Sequence, residues 1–266
     1  MAGGQQGADV QRDSRGAVQS VSRAFEVLET LAEHGPLTLS RLATESGLPL
    51  STVHRLVGSL VSLGYVRLGA DKRYVLAPRL IHLGERSARM LARWAVPHLA
   101  DLVDELGETA NLATLDDDHV VYVAQVPSRH SMRMFTEVGR HVLPHCTAVG
   151  KALLAELPRV EVASRVRRTG LPARTDRTLT TVDDLEAALD GVRSRGYAVD
   201  DGEQEVGVRC VAVVVPDSVL PLAMSVSGPA TRLTDDVVAR AVPALRTATQ
   251  RLAEDLSGGP EPKARL

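Results

Sequence analysis

The sequence predicts an α+β protein with two domains: an N-terminal winged helix-turn-helix and a C-terminal α/β domain. Three observations predict this class. The first 80 or so residues show helical periodicity cut once at Gly47, followed by a hairpin-like segment around Gly69. The second half mixes apolar strand-like runs with helical stretches. The length of 266 residues, 44% of them hydrophobic, suffices for two separate cores.

The N-terminal domain is expected over residues 18–78, after a polar tail over 1–17 that lacks periodicity and is expected to be disordered. The first helix ends at Gly35-Pro36. Its predicted apolar face consists of Val21, Ala24, Phe25, Leu28, Leu31 and Ala32. A short second helix covers 40–45. The third helix begins after Gly47 and is expected to bury Val53, Leu56, Val57, Leu60 and Leu63. The stretch "YVRLGADKRYVL" then predicts two short strands in a hairpin.

The next segment is rich in arginine and predicts two helices broken near Pro97, the first of which, over 79–94, links the domains. The C-terminal domain is expected over 95–257. Its predicted strands are "HVVYVAQV", "RCVAVVV" and "LAMSVSG", and the first two are apolar throughout and expected to be buried. Its predicted helices are "CTAVGKALLAEL", "VDDLEAALDGVRSRG" and a closing helix that Pro243 either kinks or begins. Residues 258–266 are expected to form a second disordered tail.

Basic side chains are concentrated in one segment. Residues 50–93 contain eight Arg and Lys but only two acids, so this segment has a charge of +6 while the whole chain has −2. A basic segment on an otherwise acidic protein indicates a surface that faces a polyanion. Two cysteines without a CxxC motif exclude a disulfide framework and argue against common zinc sites. No apolar run approaches the ~20 residues needed to cross a bilayer, so a cytoplasmic protein without a membrane partner is expected.

The third predicted helix has a small polar face near its N-terminus. In a winged helix-turn-helix, this part of the helix enters the DNA major groove. Ser51 and Thr52 permit a close approach, and Arg55 can contact a guanine or a phosphate. The hairpin provides basic side chains for phosphate contacts. The predicted DNA-binding residues are Ser40, Leu50, Ser51, Thr52, His54, Arg55, Arg67, Lys72 and Arg73. The alternative is a solvated helix face, which the hairpin and the local charge disfavour.

Two groups of motifs in this sequence are typical of one protein family. The N-terminal motifs are "SVSRAFEVLETLAE", "LATESGLPLSTVHRLVGSLVSLGYV" and "RYVLAPRLIHLG". The C-terminal motifs are "HCTAVGKALLAEL", "GYAVDDGEQEVGVRCVAVVV" and "LAMSVSGP". In these motifs the chain resembles the IclR-type bacterial transcription regulators, from about Val18 to Leu256. The resemblance implies a winged helix-turn-helix, a linker helix and a GAF-like α/β domain that binds a small-molecule effector. It also implies homodimers, often paired into homotetramers, on a double-stranded, pseudo-palindromic operator.

One predicted strand has two different faces. Leu222, Met224 and Val226 point one way, whereas Ala223, Ser225 and Ser227 point the other and form a small, hydroxyl-bearing face. Cys210 and Ala212 are similarly small on a neighbouring strand. A helix beginning near Thr147 leaves the amides of Ala148, Val149 and Gly150 free to favour an anion. Together these features predict a small polar pocket suited to a carboxylate.

In the IclR-type family the effector pocket is similarly placed, and the matching positions are Ala148, Val149, Asp200, Cys210, Ser225 and Ser227. Asp200 repels an anion, so its role is open among binding a ligand hydroxyl, binding a water and starting a strand loop. Cys210 as a buried small apolar residue and the two serines as partners of backbone groups are the alternatives.

Two other classes of function are alternatives to a regulator. An enzyme would use the adjacent His145 and Cys146, but neighbours in sequence rarely align their side chains and no third, orienting residue is evident. The carboxylates of "DDGEQE" lack a nearby His, so no metal site, cofactor or catalytic residue is expected. An architectural DNA-binding protein without a ligand is the third class, and it has no need of a large α/β domain.

Overall fold

A computed structural model describes residues 18–134 and 137–258. The predicted tail over 1–17 lies outside the described residues, as does all of the predicted 258–266 tail except Gly258. The chain divides into two compact units at Arg86 and Ser87. No helix in the described part of the chain combines the length and hydropathy that crossing a bilayer requires.

The N-terminal unit has the predicted three helices and hairpin. Its elements are α1 (Gln19–His34), α2 (Leu39–Ser46), α3 (Leu50–Ser62), β1 (Val66–Leu68) and β2 (Tyr74–Leu76). The two strands pair antiparallel, and Leu37 bridges to Tyr74 beside them. A small core holds these elements together, formed by Val27, Leu31, Leu42, Val53, Val57, Leu60 and Val66. The winged helix-turn-helix fold is confirmed.

The predicted apolar face of α1 is partly wrong. Val21 and Phe25 are 53% and 58% exposed, whereas Val27, absent from the prediction, is fully buried. The apolar residues of α1 cover more than one stripe, so periodicity alone did not show that the buried face is centred near Val27 and Leu31. Leu63, predicted to be buried after the third helix, is also exposed.

The prediction of two helices broken near Pro97 is wrong. A single helix, α4 (Arg79–Leu106), contains Pro97 in its interior. Proline removes one helical hydrogen bond, but buried side chains on both sides of it bind α4 to the C-terminal core. These side chains are Leu91, Ala95, Leu99, Leu102 and Val103. Their packing compensates for the lost bond and keeps the helix continuous.

The C-terminal unit is built on a six-stranded antiparallel sheet in the order β5-β4-β3-β8-β7-β6. The strands are β3 (Thr109–Asp116), β4 (His119–Val126), β5 (His141–Val142), β6 (Ala198–Asp201), β7 (Val208–Val214) and β8 (Leu222–Pro229). The helices are α5 (Ala148–Ala155), α6 (Arg159–Thr169), α7 (Val182–Arg195) and α8 (Asp235–Leu256). Pro243 lies inside α8, so it does not mark the start of that helix.

Helices cover both faces of the sheet. The core on one face joins α4 and α8 to side chains such as Leu222, Met224 and Val226 of β8. The core on the other face joins α5 and α7 to Ala212 and Ala223. This arrangement confirms the predicted two-faced character of β8, whose first seven residues are all buried.

Four elements of this unit were not predicted from the sequence: β3, β5, β6 and α6.

The prediction that the strand "HVVYVAQV" is buried throughout is too strong. In "HVVYVAQV" only Val120 and Ala124 are buried, because β4 lies near the sheet edge with only the two-residue β5 beyond it.

Candidate functional site

The turn between α2 and α3 exposes the N-terminal part of α3. Gly47 ends α2 in a left-handed conformation, with φ of 66° and ψ of 12°, which glycine adopts without steric cost. Val53, Val57 and Leu60 fix the inner face of α3 in the core. The opposite face carries Ser51 and Arg55 into solvent. Of the nine predicted DNA-binding residues, eight are exposed and Thr52 is half-buried.

An arginine that was counted only for its charge holds the end of α3. The Nη1 atom of Arg79 donates a hydrogen bond of 2.9 Å to the carbonyl of Leu63, just after α3. Its guanidinium also lies over the ring of Tyr65, 5.2 Å from the centroid. Arg79 therefore caps a carbonyl group at the C-terminal end of α3. This contact contributes to the position of α3, the helix that carries Arg55.

The tip of the hairpin between β1 and β2 carries the remaining basic candidates. Lys72 adopts a left-handed conformation with φ of 60°, and its side chain is exposed. The carboxylate of Asp71 accepts a hydrogen bond from the Arg73 amide at 3.2 Å and lies 3.6 Å from Arg73 Nε. Asp71 therefore orders the tip but also offsets part of the charge of Arg73.

All six residues predicted to bind an effector line one cavity of about 50 Å³ in the C-terminal unit. Ser225 and Ser227 come from β8, Cys210 from β7 and Asp200 from β6, while Ala148 and Val149 begin α5. Several other residues line the cavity that were not predicted to do so, and those with polar side chains are Tyr122, Arg140, Thr147, Gln204 and Glu205. Burial raises the pKa of the Tyr122 phenol, which therefore stays protonated.

An unpredicted asparagine supports the two serines. Asn111 lies opposite Ser225 in the pairing of β3 with β8 and is completely buried. Its Nδ2 atom donates to the hydroxyl oxygens of Ser225 at 3.5 Å and Ser227 at 3.4 Å. Gln125 in turn donates to Asn111 Oδ1 at 3.0 Å, which fixes the orientation of the amide. The serines thus have a side-chain partner, in contrast to the alternative in which they serve backbone groups.

The start of α5 is built by Thr147 and Gly150. The Thr147 hydroxyl accepts a hydrogen bond from the Gly150 amide at 3.2 Å, so the prediction that this amide is free is wrong. A Cβ atom at Gly150 would lie 2.2 Å from the carbonyl oxygen of Pro144, so only glycine fits there. The amides of Ala148 and Val149 belong to the first turn, which has no intrahelical acceptor for them.

Asp200 has a structural role at the end of β6. Its Oδ1 atom accepts hydrogen bonds from the amides of Glu203 at 2.7 Å and Gln204 at 3.4 Å. This is the strand-loop role among the three left open by the sequence. Burial, which dominates, and the nearby Glu203 raise the pKa of Asp200 to about 7, although the two amide bonds act in the opposite direction. Near neutral pH the protonated and ionised forms of this carboxyl group therefore coexist.

His145 and Cys146, the two residues considered for catalysis, each contact a different partner. The Cys146 sulfur donates to Gln204 Oε1 at 2.9 Å, and His145 Nε2 contacts the carbonyl of Pro172 at 3.2 Å. Burial raises the pKa of Cys146 to about 12 and lowers that of His145, which opposes formation of a thiolate. In "DDGEQE", Glu203 forms a buried ion pair with Lys151, and the described residues contain no cluster able to hold a metal ion.

Comparison with known proteins agrees with both halves of this description. Residues 20–68 match the family model of the IclR helix-turn-helix domain, and residues 87–254 match that of the C-terminal domain of bacterial transcriptional regulators of the IclR type. The chain belongs to the IclR family. As a member of the IclR family, it is a transcription regulator whose helix-turn-helix binds DNA.

Individual IclR-family proteins are similar over nearly the whole chain. The transcriptional repressor IclR of Escherichia coli strain K12 is 37% identical over 231 residues, which cover 84% of each protein. The crystal structure of IclR from Thermotoga maritima is 29% identical, with a TM-score of 0.61, and the match covers 90% of this chain and 98% of that one. An IclR homologue from Microbacterium hydrocarbonoxydans, complexed with 4-hydroxybenzoate, is 26% identical, with a TM-score of 0.59 and coverage of 90% and 100%.

Proposed function

We propose that the chain is a homo-oligomeric repressor that binds a pseudo-palindromic operator and responds to a small carboxylic acid. The observation that carries the effector half of the proposal is the convergence of six residues from four elements on one cavity. The effector then acts by preferring one arrangement of the paired DNA-binding heads over another.

The exposed face of α3 supports direct contact with DNA. Leu50, Ser51, His54 and Arg55 are exposed at the N-terminal half of the helix, which is the part that reaches base edges in this fold. Ser40 lies at the start of α2, and the half-buried Thr52 lies in the first turn of α3. Arg67, Lys72 and Arg73 on the hairpin are suited to phosphate contacts.

The donors around the cavity support a carboxylate as the effector. The serine hydroxyls, the free amides of Ala148 and Val149 and the protonated Tyr122 are all able to donate hydrogen bonds to an anion. The related Microbacterium protein holds 4-hydroxybenzoate, a carboxylate with a hydroxyl group. Cys210 contributes a small, uncharged wall to the cavity, because burial keeps its thiol protonated.

A non-enzymatic role accounts best for His145 and Cys146, since both are bonded to structural partners and their pKa values move away from those of a nucleophile and base. Names of similar proteins, among them the acetate operon repressor of Salmonella typhimurium at 37% identity, support repression as the mode of action. A regulator of bacterial chromosomal DNA works in the cytoplasm.

The test is operator binding by the full chain, measured by fluorescence anisotropy against a panel of small organic acids. At least one acid should shift the midpoint of operator binding, and the acid should be recovered unchanged. An acid that is consumed during the incubation supports the enzyme instead. Operator binding that no acid or other metabolite alters supports the ligand-free architectural protein.

A matched control separates the two proposed surfaces. The Arg55→Ala variant should lose operator affinity while retaining effector binding in calorimetric titration, because the DNA-binding residues and the effector-binding residues lie in different compact units. The Ser227→Val variant should retain operator affinity and bind the effector more weakly, by ~1–3 kcal/mol. The same loss in both variants would contradict the assignment of separate sites.

A further inference from the structure

We infer that the effector is a dicarboxylic acid whose second carboxylate binds a basic vestibule next to the effector pocket. The vestibule is a cavity of about 240 Å³ lined by His119, Arg140, His141, Val142, Leu143, Arg174 and Gln204. The inference rests on the proposed function, because it assigns the first carboxylate to the pocket that contains Ser225 and Ser227.

The two cavities adjoin each other. Arg140, Val142 and Gln204 line both of them. The side-chain oxygen of Gln204 accepts a hydrogen bond from the Cys146 thiol, and the backbone N–H of Gln204 donates to Asp200, so both its side chain and its backbone are held in this wall. The proposed elongated ligand occupies the inner pocket and extends past these shared residues into the vestibule.

Size favours such a ligand. The inner pocket, at about 50 Å³, has room for one small polar group with a few carbon atoms, whereas the vestibule is several times larger. A water molecule needs ~10–15 Å³ on the same measure. A ligand that fills only the inner pocket leaves the larger cavity and its charged walls unused.

The vestibule contains two arginine side chains that are available to an anion. These are Arg140 and Arg174. Both side chains are exposed, and within the described part of the chain their guanidinium groups make no hydrogen bond or ion pair. The charge of Arg140 acts on the inner pocket, where it opposes the rise in the pKa of Tyr122, and Arg174 opposes the rise in the pKa of Cys146, whose thiol contacts Gln204 in the shared wall. Arginine binds carboxylates in a forked geometry that two adjacent side chains reinforce.

The described residues that line the vestibule include no carboxylate. Asp116 lies beside it, with its carboxylate 3.6 Å from the His141 ring. Asp200 and Glu205 line the inner cavity. A ligand with an anionic group at each end is thus drawn outward by the arginines and held inward by the hydroxyl and amide donors.

The experiment compares linear acids of equal length by calorimetric titration of the full chain: butyrate with succinate, pentanoate with glutarate, and hexanoate with adipate. For at least one length the dicarboxylate should bind about tenfold tighter or more, as expected for a charge-assisted hydrogen bond. Arg174→Gln should reduce this preference to near unity and leave the affinity for the monocarboxylate within about twofold. Arg174→Lys should retain part of the preference.

Arg167→Gln is the matched control, because Arg167 is an exposed arginine on α6 that does not line the vestibule. It should leave the preference unchanged, which separates a local contact from a change in net charge. Monocarboxylates that bind as tightly as dicarboxylates, with affinity still dependent on Ser227, would overturn the vestibule and leave the proposed function intact. The absence of binding by any acid would overturn both. Equal losses in Arg167→Gln and Arg174→Gln would also overturn the vestibule.

Discussion

The amide nitrogen of Asn111 lies 3.4 Å from the hydroxyl oxygen of Ser227, across the pairing of β3 with β8. Because the amide can only donate through this nitrogen, the serine oxygen accepts, and the serine keeps its own hydrogen for another acceptor. Ser225 has the same relationship with Asn111 at 3.5 Å. A single buried asparagine thus orients two hydroxyl donors toward the effector pocket.

The first prediction concerns how DNA is read. Arg55→Ala should weaken operator binding by ~1–3 kcal/mol, because the exposed guanidinium near the start of α3 is placed to contact a base edge. Lys72→Ala should instead lower affinity for all sequences alike and reduce the salt dependence of binding, as expected for a phosphate contact. Titrations of operator and unrelated DNA at several salt concentrations measure both. An Arg55→Ala protein that is folded and has unchanged operator affinity would remove Arg55 from the recognition surface.

The second prediction concerns the buried ion pair of Lys151 and Glu203, whose residues are only 4% and 9% exposed. Lys151→Met should lower the free energy of unfolding by roughly 3–5 kcal/mol, because it leaves a buried carboxylate without its partner. The double variant Lys151→Met, Glu203→Leu should recover most of that loss. Denaturant unfolding of the three proteins at pH 7.5 measures the difference. A double variant less stable than the single one would contradict this account.

The third prediction concerns the pH dependence of stability at Asp200, whose pKa is raised to about 7 in the folded protein. The unfolded carboxyl group titrates near ~3.9. Between these two values the folded state holds the proton more strongly, so this group's contribution to stability falls as pH rises from about 4 to 7. Asp200→Asn keeps the oxygen that accepts from Glu203 and Gln204 but removes the titration.

Unfolding of wild type and Asp200→Asn at pH 5, 6, 7 and 8 tests this directly. The stability of the variant relative to wild type should increase with pH up to about 8 and then level off. Comparison of the two proteins cancels the titration of shared groups that do not interact with Asp200. A difference that does not change with pH would show that Asp200 has an ordinary pKa.

The effector pocket illustrates which parts of the structure the sequence predicted. The alternation of β8 separated Ser225 and Ser227 from Leu222 and Met224, because a strand side chain can only face one of two sides. The contribution of Asn111 was not predictable from the same logic. It depends on which strand pairs with β8 and in which register, and the segment that forms β3 was not predicted to be a strand.

Helical segments show a similar limit. Periodicity located α1 and its buried Leu31 but missed Val27, since the apolar side chains of that helix cover more than one stripe and only tertiary contacts select Val27. The general effect of proline on helices predicted a break at Pro97, although α4 is continuous there because Leu91 and Leu99 are buried on either side of the proline. In both cases the deciding interactions come from residues distant in sequence.

The fourth prediction concerns assembly. Apolar side chains remain exposed on α1 and on the first part of α4, among them Phe25 at 58% and Leu83 at 50%. Such side chains favour a pairing surface. Leu91, further along α4, is buried and does not belong to this surface. Phe25→Asp and Leu83→Asp should each shift the protein toward monomer in sedimentation.

The operator should match that pairing. Two-fold symmetry predicts a pseudo-palindrome with half-sites about 34 Å apart or a multiple of that distance. Footprinting measures the spacing. Val219→Asp is the control for the sedimentation experiment with Phe25→Asp and Leu83→Asp, because Val219 is 85% exposed but lies in a loop before β8. A wild-type monomer at micromolar concentration that still binds its operator tightly would contradict the assembly.

The last prediction concerns Ser225 and Ser227. Replacing either with Val keeps the approximate volume and removes the hydroxyl donor, so effector affinity should fall by ~1–3 kcal/mol because a desolvated carboxylate loses a hydrogen bond. Operator binding without effector should stay near wild type, and the variant should therefore repress permanently if the effector is an inducer. If the hydroxyls serve only as partners of Asn111, the variants should instead melt at lower temperature with unchanged effector affinity in the folded fraction. Calorimetric titration beside melting curves distinguishes these results, and unaltered affinity would move the binding site toward the start of α5 at Thr147, where the amides of Ala148 and Val149 provide the remaining donors.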